Sequence, residues 1–404
     1  MKSQAGEVQS RACLRIRGFE KEKISTKTFN LPSTMTRVLL NNILSFFLIQ
    51  MVLISCSKTK NPTTPNASDS VADFYSADDF LRTEKFDSHI HLNTEQTHFM
   101  DQAAKDNLRF LVIVDDRPFG ITMADQEKIV RKQLKVFPDR IFYATTFSVN
   151  NFISNTWQEE TIAYLKNSFA QGAIAVKVWK NIGMDLRDEN GKFVMIDHPK
   201  FDPVLDYLES NNIPLIGHLG EPRECWLPLE EMVLHKGYYS AHPEYHMYLH
   251  PEFPSYEDQI NARDRMLEKH PDLKFIGAHL GSLEWSLEAL AKRLDKFPNM
   301  AVDLARMSDL NLHALKDPRA TRNFFIKYQD RLLYATDVQV RETDNAEQMN
   351  KDTHDARMRH WKFFTSDEEF TLPGIEGSYK GLRLPKEVVD KIYWRNASEW
   401  LLNQ

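Results

Sequence analysis

Phe86-Asp87-Ser88-His89-Ile90-His91 opens a series of short apolar, β-branched runs that end in chemically capable side chains. Outward from it the pattern recurs eight times: Phe86–Ile90, Phe110–Val114, Ile141–Phe147, Ala173–Trp179, Ile213–Gly217, Phe275–Ala278, Met300–Leu304 and Leu332–Ala335. Amphipathic stretches such as Asp125–Phe137, Trp157–Ala170 and Trp285–Phe297 lie between the runs, and Lys386–Leu402 reads as the closing helix. Strands alternating with helices imply an α/β protein whose parallel sheet is covered by helices. Eight such units in about 300 residues predict a (β/α)8 TIM barrel. A doubly wound open sheet would carry a glycine-rich turn after its first strand, and none follows Phe86–Ile90.

Three connections exceed simple turns: Lys180–Lys200, Glu221–Tyr256 and Val338–Pro385, after strands 4, 5 and 8. Each follows a strand and precedes a helix. In a barrel all three sit at the strand C-termini, the face that carries active sites and lids.

Hydrophobic residues make up 42 % of the 404 and charged residues 27 %, ordinary for a folded protein and unlike a disordered or multi-span membrane chain. The net charge of −6 is uneven. Residues 1–60 hold ten Lys/Arg against three Asp/Glu, +7, which leaves −13 for the rest. An acidic body argues against nucleic acid as a partner. Cys13, Cys56 and Cys225 form neither a disulfide framework nor a CxxC pair.

Arg37 precedes a short apolar core that ends at Leu53-Ile54-Ser55-Cys56, the plan of a secretory signal over 35–56. The run is short for a membrane span. Its ending resembles the lipobox of bacterial lipoproteins, which implies diacylation of Cys56 and a lipid anchor in the bacterial cell envelope, on the outer membrane or a periplasmic face. An uncleaved signal anchor is the alternative. Residues 1–34 do not fit that signal, so Met35 reads as the start. Residues 57–83, rich in Ser, Thr, Pro and Asn at their beginning, read as a tether, and 84–404 as the barrel.

The strand ends carry the chemistry. Residues i and i+2 of a strand point the same way, so His89 and His91 project together, at a spacing that suits one divalent metal. Strand five ends at His218, strand six at His279 and strand eight at Asp337, each placing a metal-type residue where the apolar run stops.

With these residues the chain resembles the amidohydrolase superfamily, and within it the amidohydrolase-2 group of hydrolases, lactonases and decarboxylases. The resemblance covers about 84–402 and rests on Phe86–His91, His270-Pro271-Asp272-Leu273-Lys274-Phe275-Ile276-Gly277-Ala278-His279-Leu280-Gly281, Arg331–Asp337 and Lys391–Ala397. It implies that His89, His91 and His218 bind metal. It implies that Asp337 binds metal and takes the proton of the activated water, and that His279 is a second-metal ligand or an acid/base. Lys177, near the end of strand four, is either a carboxylated bridge between two metals or a charged lysine. Residues 177 and 180 have opposite parity, so only one of the two lysines is expected to point inward. One or two ions are implied, zinc foremost, with manganese, iron or cobalt as alternatives. Relatives are often homodimers.

Arg306 is a candidate for a substrate carboxylate, with a surface salt bridge as the alternative. Glu221 and Arg223 stand near the mouth, and Trp179, Trp226 and Tyr238 are candidate pocket walls. His235, His242, His246 and His250 read as a polar lid rather than a metal site. Cys225 carries no sign of a nucleophile. The whole predicts a metal-dependent hydrolase cleaving a C–O or C–N bond in a small carbonyl compound. A decarboxylase of aromatic or unsaturated acids is the second reading, and a non-catalytic binding lipoprotein the third.

Overall fold

The computed structural model describes residues 73–117 and 120–402. The predicted signal, Cys56 and the tether up to residue 72 lie outside the described residues.

All eight predicted runs form strands. They are β1 Lys85–Asn93, β2 Leu108–Ile113, β3 Ile141–Thr146, β4 Ala173–Val178, β5 Leu215–Gly217, β6 Phe275–Gly277, β7 Met300–Asp303 and β8 Leu332–Leu333, joined by a ninth, β9 Val338–Arg341. They make one parallel sheet in the order β8-β7-β6-β5-β4-β3-β2-β1-β9. The two ends of that order are neighbours in the chain. β8 pairs with β7, and β9 pairs with β1. Between them the Ser88 amide donates to the Tyr334 carbonyl (2.9 Å) and the Asp337 amide to the His89 carbonyl (2.8 Å). Strand eight is therefore one strand interrupted near Asp337, and through it the sheet closes into a barrel.

Alternation sorts the side chains. Leu111, Ile113, Ala175, Ile216, Ile276 and Leu333 share the inner cluster, while Phe110, Val112, Val176 and Val178 face the helices. Lys177 has the parity of Ala175 and points inward, fully buried. β1 would break this rule without its irregularity between Asp87 and Ile90. Phe86 faces inward before it, whereas Ile90 and Leu92 pack outward after it, so the slip is what turns His89 and His91 into the barrel.

Two expectations need correction. Val338–Pro385 is not one long loop: it holds β9, the helix Ala346–Thr365 and a hairpin of Glu369–Thr371 with Ser378–Lys380. The buried face of that helix begins with Thr353 and Arg357 before reaching Trp361 and Phe364, so its first half shows no apolar stripe. Asp73 to Thr83 also belong to the folded body, ahead of the boundary expected at 84. Tyr75 donates to Asp390 (2.7 Å), Trp361 Nε1 donates to the Ser76 carbonyl (2.9 Å), and Phe80 is buried.

Among the described residues no helix is long and apolar enough to cross a membrane.

Candidate active site

At the C-terminal mouth of the barrel, β1 delivers His89 and His91, and the break in strand eight delivers Asp337. Asp337 sits at φ 55°, in the left-handed region, which aims its carboxylate back over β1. Its Oδ1 lies 3.3 Å from His91 Nε2 and 3.5 Å from His89 Nε2. The ligand atoms of these three residues all lie within 4.8 Å of one another.

The far side of each imidazole fixes its proton. His89 Nδ1 is 2.7 Å from Asp303 Oδ2, and His91 Nδ1 is 3.1 Å from the Ile113 carbonyl. A carboxylate and a carbonyl only accept, so both Nδ1 atoms carry hydrogen and both Nε2 atoms are turned toward Asp337. Burial pushes the His91 pKa down, which keeps it neutral. Burial alone would raise Asp337, but His89, His91 and His279 outweigh it and hold the carboxyl well below its ordinary range. Two imidazole Nε2 atoms and a carboxylate thus converge, a set that binds a cation once the Nε2 atoms are free of hydrogen. Donors about 2.1 Å from a tetrahedral ion stand about 3.4 Å apart, which matches the 3.3 and 3.5 Å spacings. The donor set fits a divalent metal.

Asp303 ties a second histidine to this centre. Its Oδ1 accepts from the His279 amide (2.7 Å) and the Ala305 amide (3.1 Å). The chain turns sharply after β6: His279, Leu280 and Ser282 all have φ between 55° and 58°. A Cβ on Gly277 would meet the Gly281 backbone at 2.7 Å, so only glycine permits this turn. His279 Nδ1 faces the Ala305 carbonyl at 3.3 Å and Nε2 lies 3.9 Å from Asp337 Oδ2. Burial brings its pKa down to about 3, against the pull of Asp337. Burial raises Asp303 less than His89 and His279 lower it, to about 2.

Lys177 Nζ is 3.3 Å from His89 Nε2, with its pKa lowered by burial against Asp303 and Asp337. The His218 ring is 4.4 Å from that of His279, its pKa driven well down by burial and by His279. A small cavity of about 30 Å³ joins His89, His91, Lys177, His218, His279 and Asp337. Above it, and sharing His218 and His279, lies a chamber of about 260 Å³.

Residues 87–401 match the family model described as Amidohydrolase. This chain belongs to the amidohydrolase family. No curated protein matches it. Among solved structures, the amidohydrolase chain is similar to a 2,6-dihydroxybenzoate decarboxylase from Rhizobium (14 % identity, 79 % of this chain, 98 % of that one, TM-score 0.45). It is similar to a 4-oxalomesaconate hydratase from Rhodopseudomonas palustris (14 %, 79 % and 95 %, TM-score 0.40). It is also similar to a manganese-bound 5-carboxyvanillate decarboxylase from Novosphingobium aromaticivorans (11 %, 80 % and 98 %, TM-score 0.43).

The remaining candidates of this amidohydrolase divide. Trp179 lines the small cavity, and Glu221, Tyr238 and Arg306 line the chamber. Arg223 does not line either cavity: its guanidinium stacks on Trp285 at 4.4 Å while its amide donates to Glu284 (2.8 Å). Lys177 and Lys180 both reach the mouth. Parity fails for Lys180 because β4 ends at Val178, which frees the chain to turn it onto Glu221. The lid histidines serve the lid: His242 meets the Tyr238 carbonyl, His246 that of Leu227 and His250 that of Pro243. Cys225 donates to the Tyr245 carbonyl, its pKa pushed up to about 12 by burial. Asp115, Arg117 and Asp303 escaped the sequence reading. Each stands within three residues of the end of an apolar run, a position that marks it as near the mouth but does not show its partner.

Proposed function

We propose that this amidohydrolase is a divalent-metal-dependent hydrolase of a neutral small carbonyl compound, cleaving a C–O or C–N bond. The observation that carries metal dependence is the convergence of His89 Nε2 and His91 Nε2 on the Asp337 carboxylate at 3.5 and 3.3 Å. These three would hold the ion, with His218, His279 and Lys177 as further candidate ligands, Lys177 in carboxylated form. When bound, a divalent ion polarises the carbonyl and lowers the pKa of water, and zinc leads manganese, iron and cobalt for an imidazole–carboxylate set.

Asp337, held anionic, accepts a proton from the attacking water. The water oxygen bonds to the carbonyl carbon, the C–O or C–N bond breaks, and the proton passes from Asp337 to the departing oxygen or nitrogen. His279, neutral with its Nδ1 turned to Ala305, suits a ligand or a proton acceptor and not an acid that protonates carbon.

Charge pairing favours hydrolysis over decarboxylation. Arg117 pairs with Asp115 at 2.6 Å, Arg306 with Asp309 at 3.1 Å, and Lys180 with Glu221. These three cations facing the cavities are each matched by a carboxylate of the chain itself, while Lys177 lies against His89 Nε2 (3.3 Å), so the chamber suits a neutral substrate. The test is a panel of neutral lactones, esters and amides beside aromatic acids, run on metal-stripped and reconstituted protein. Metal-restored hydrolysis is expected. Metal-dependent CO2 release from an acid, without hydrolysis, would replace this reading with the decarboxylase.

From the sequence 37–57 we further infer a lipid anchor on Cys56 and residence at the bacterial envelope. Release of a Cys56→Ala chain from the membrane fraction is the expected result, and retention would contradict it.

A further inference from the structure

Beyond the chamber lies a groove of about 480 Å³ floored by Ala305 and Thr336 and walled by Met307, Leu372 and Ile375. Each cavity is of a size that holds a small organic moiety. Chamber and groove share Leu234, His235 and Arg306. That shared wall is built, not incidental. His235 Nδ1 contacts Glu224 (2.9 Å), its Nε2 meets Arg306 Nη2 (3.1 Å), and Arg306 Nε meets Asp309 (3.1 Å). Glu224 also accepts from the amides of Val233 (2.8 Å), Leu234 (3.1 Å) and His235 (2.8 Å), which fixes the wall's backbone.

The chamber reaches the reacting centre through His218 and His279, and the groove borders residues that back it: Ala305, whose carbonyl faces His279 Nδ1 at 3.3 Å, and Thr336, the chain neighbour of Asp337. Both are charge-matched, Lys180 against Glu221 in the chamber and Arg306 against Asp309 in the groove.

We propose that the groove is the leaving-group half of a two-part site, so that the substrate is a neutral ester or amide of two sizeable moieties. The acyl moiety occupies the chamber and the alcohol or amine occupies the groove. That orientation puts the departing oxygen or nitrogen on the side of strand eight, next to the Asp337 carboxylate that returns the proton. The proposal rests on the hydrolase reading and adds the substrate class to it.

The test uses methyl, benzyl and 2-naphthylmethyl benzoate with the metal-loaded wild type, Ile375→Trp and Ile375→Ala. Burying the larger alcohol's apolar surface is expected to raise wild-type kcat/KM about tenfold or more from the methyl to the naphthylmethyl ester. Ile375→Trp should collapse that ratio, and Ile375→Ala should raise it or shift it toward the larger alcohol. A ratio near one in the wild type, or one unchanged in both variants, overturns the proposal alone. No hydrolysis of any ester or amide overturns the hydrolase reading and the proposal with it.

Discussion

His89 Nδ1 lies 2.7 Å from Asp303 Oδ2, and this contact decides which face of the imidazole looks into the barrel. The same carboxylate accepts from the His279 amide, so one buried acid on β7 sets histidines from β1 and β6. An asparagine here keeps its oxygen on the His279 and Ala305 amides and turns its NH2 toward His89 Nδ1–H. His89 then moves its proton to Nε2 and loses the lone pair. Asp303→Asn is predicted to weaken metal affinity about 10–100-fold with the fold retained. Titration with zinc followed by calorimetry checks this, and wild-type affinity would show that Asp303 positions nothing.

Asp337→Asn removes the proton carrier at the centre. A loss of about 10²–10⁴-fold in kcat is expected. A variant that still turns over within a few-fold of wild type would move the acid/base role elsewhere. A pure binding protein would keep its ligand affinity with no turnover to lose.

The eight strands and the inward His89, His91 and Asp337 were readable because apolar runs and chain order determine a barrel's strand ends. Three features were not. Asp303 follows Val302 as an ordinary strand-end acid, and only the fold brings it against His89, 214 positions away in sequence. The helix Ala346–Thr365 buries Thr353 and Arg357 in its first half, so no apolar stripe marked it within the long connection. Arg223 looked like a mouth residue because it follows His218 closely, yet the turn after Pro222 sends it to Trp285.

Glu224 gives the lid a pH signature. Burial raises its pKa, but His235 and the amides of Val233 and His235 outweigh that and bring it from 4.5 to about 2. A depressed acid stabilises the fold above its unfolded pKa and loses that contribution as pH falls through the folded value. The protection factor at amides 233–235, the exchange rate taken relative to the intrinsic rate at the same pH, should therefore be high above pH 4.5 and fall between there and about 2. Glu224→Gln should show low protection across the whole range. Equal protection in variant and wild type would contradict the clamp.

Gly277→Ala places a methyl against the Gly281 backbone in the turn that presents His279. A destabilisation of about 1–3 kcal/mol is expected in urea unfolding. Unchanged stability would mean that the turn after β6 yields more easily than its geometry implies.

The most direct test of the central claim is metal content per chain by mass spectrometry, on protein purified without chelators. Wild type is run beside His91→Ala and Lys177→Ala. At least one divalent ion per wild-type chain is predicted, lost or sharply reduced in His91→Ala. Two ions falling to one or none in Lys177→Ala would assign the bridge to that lysine. No divalent metal in the wild type, even after reconstitution, would contradict the account.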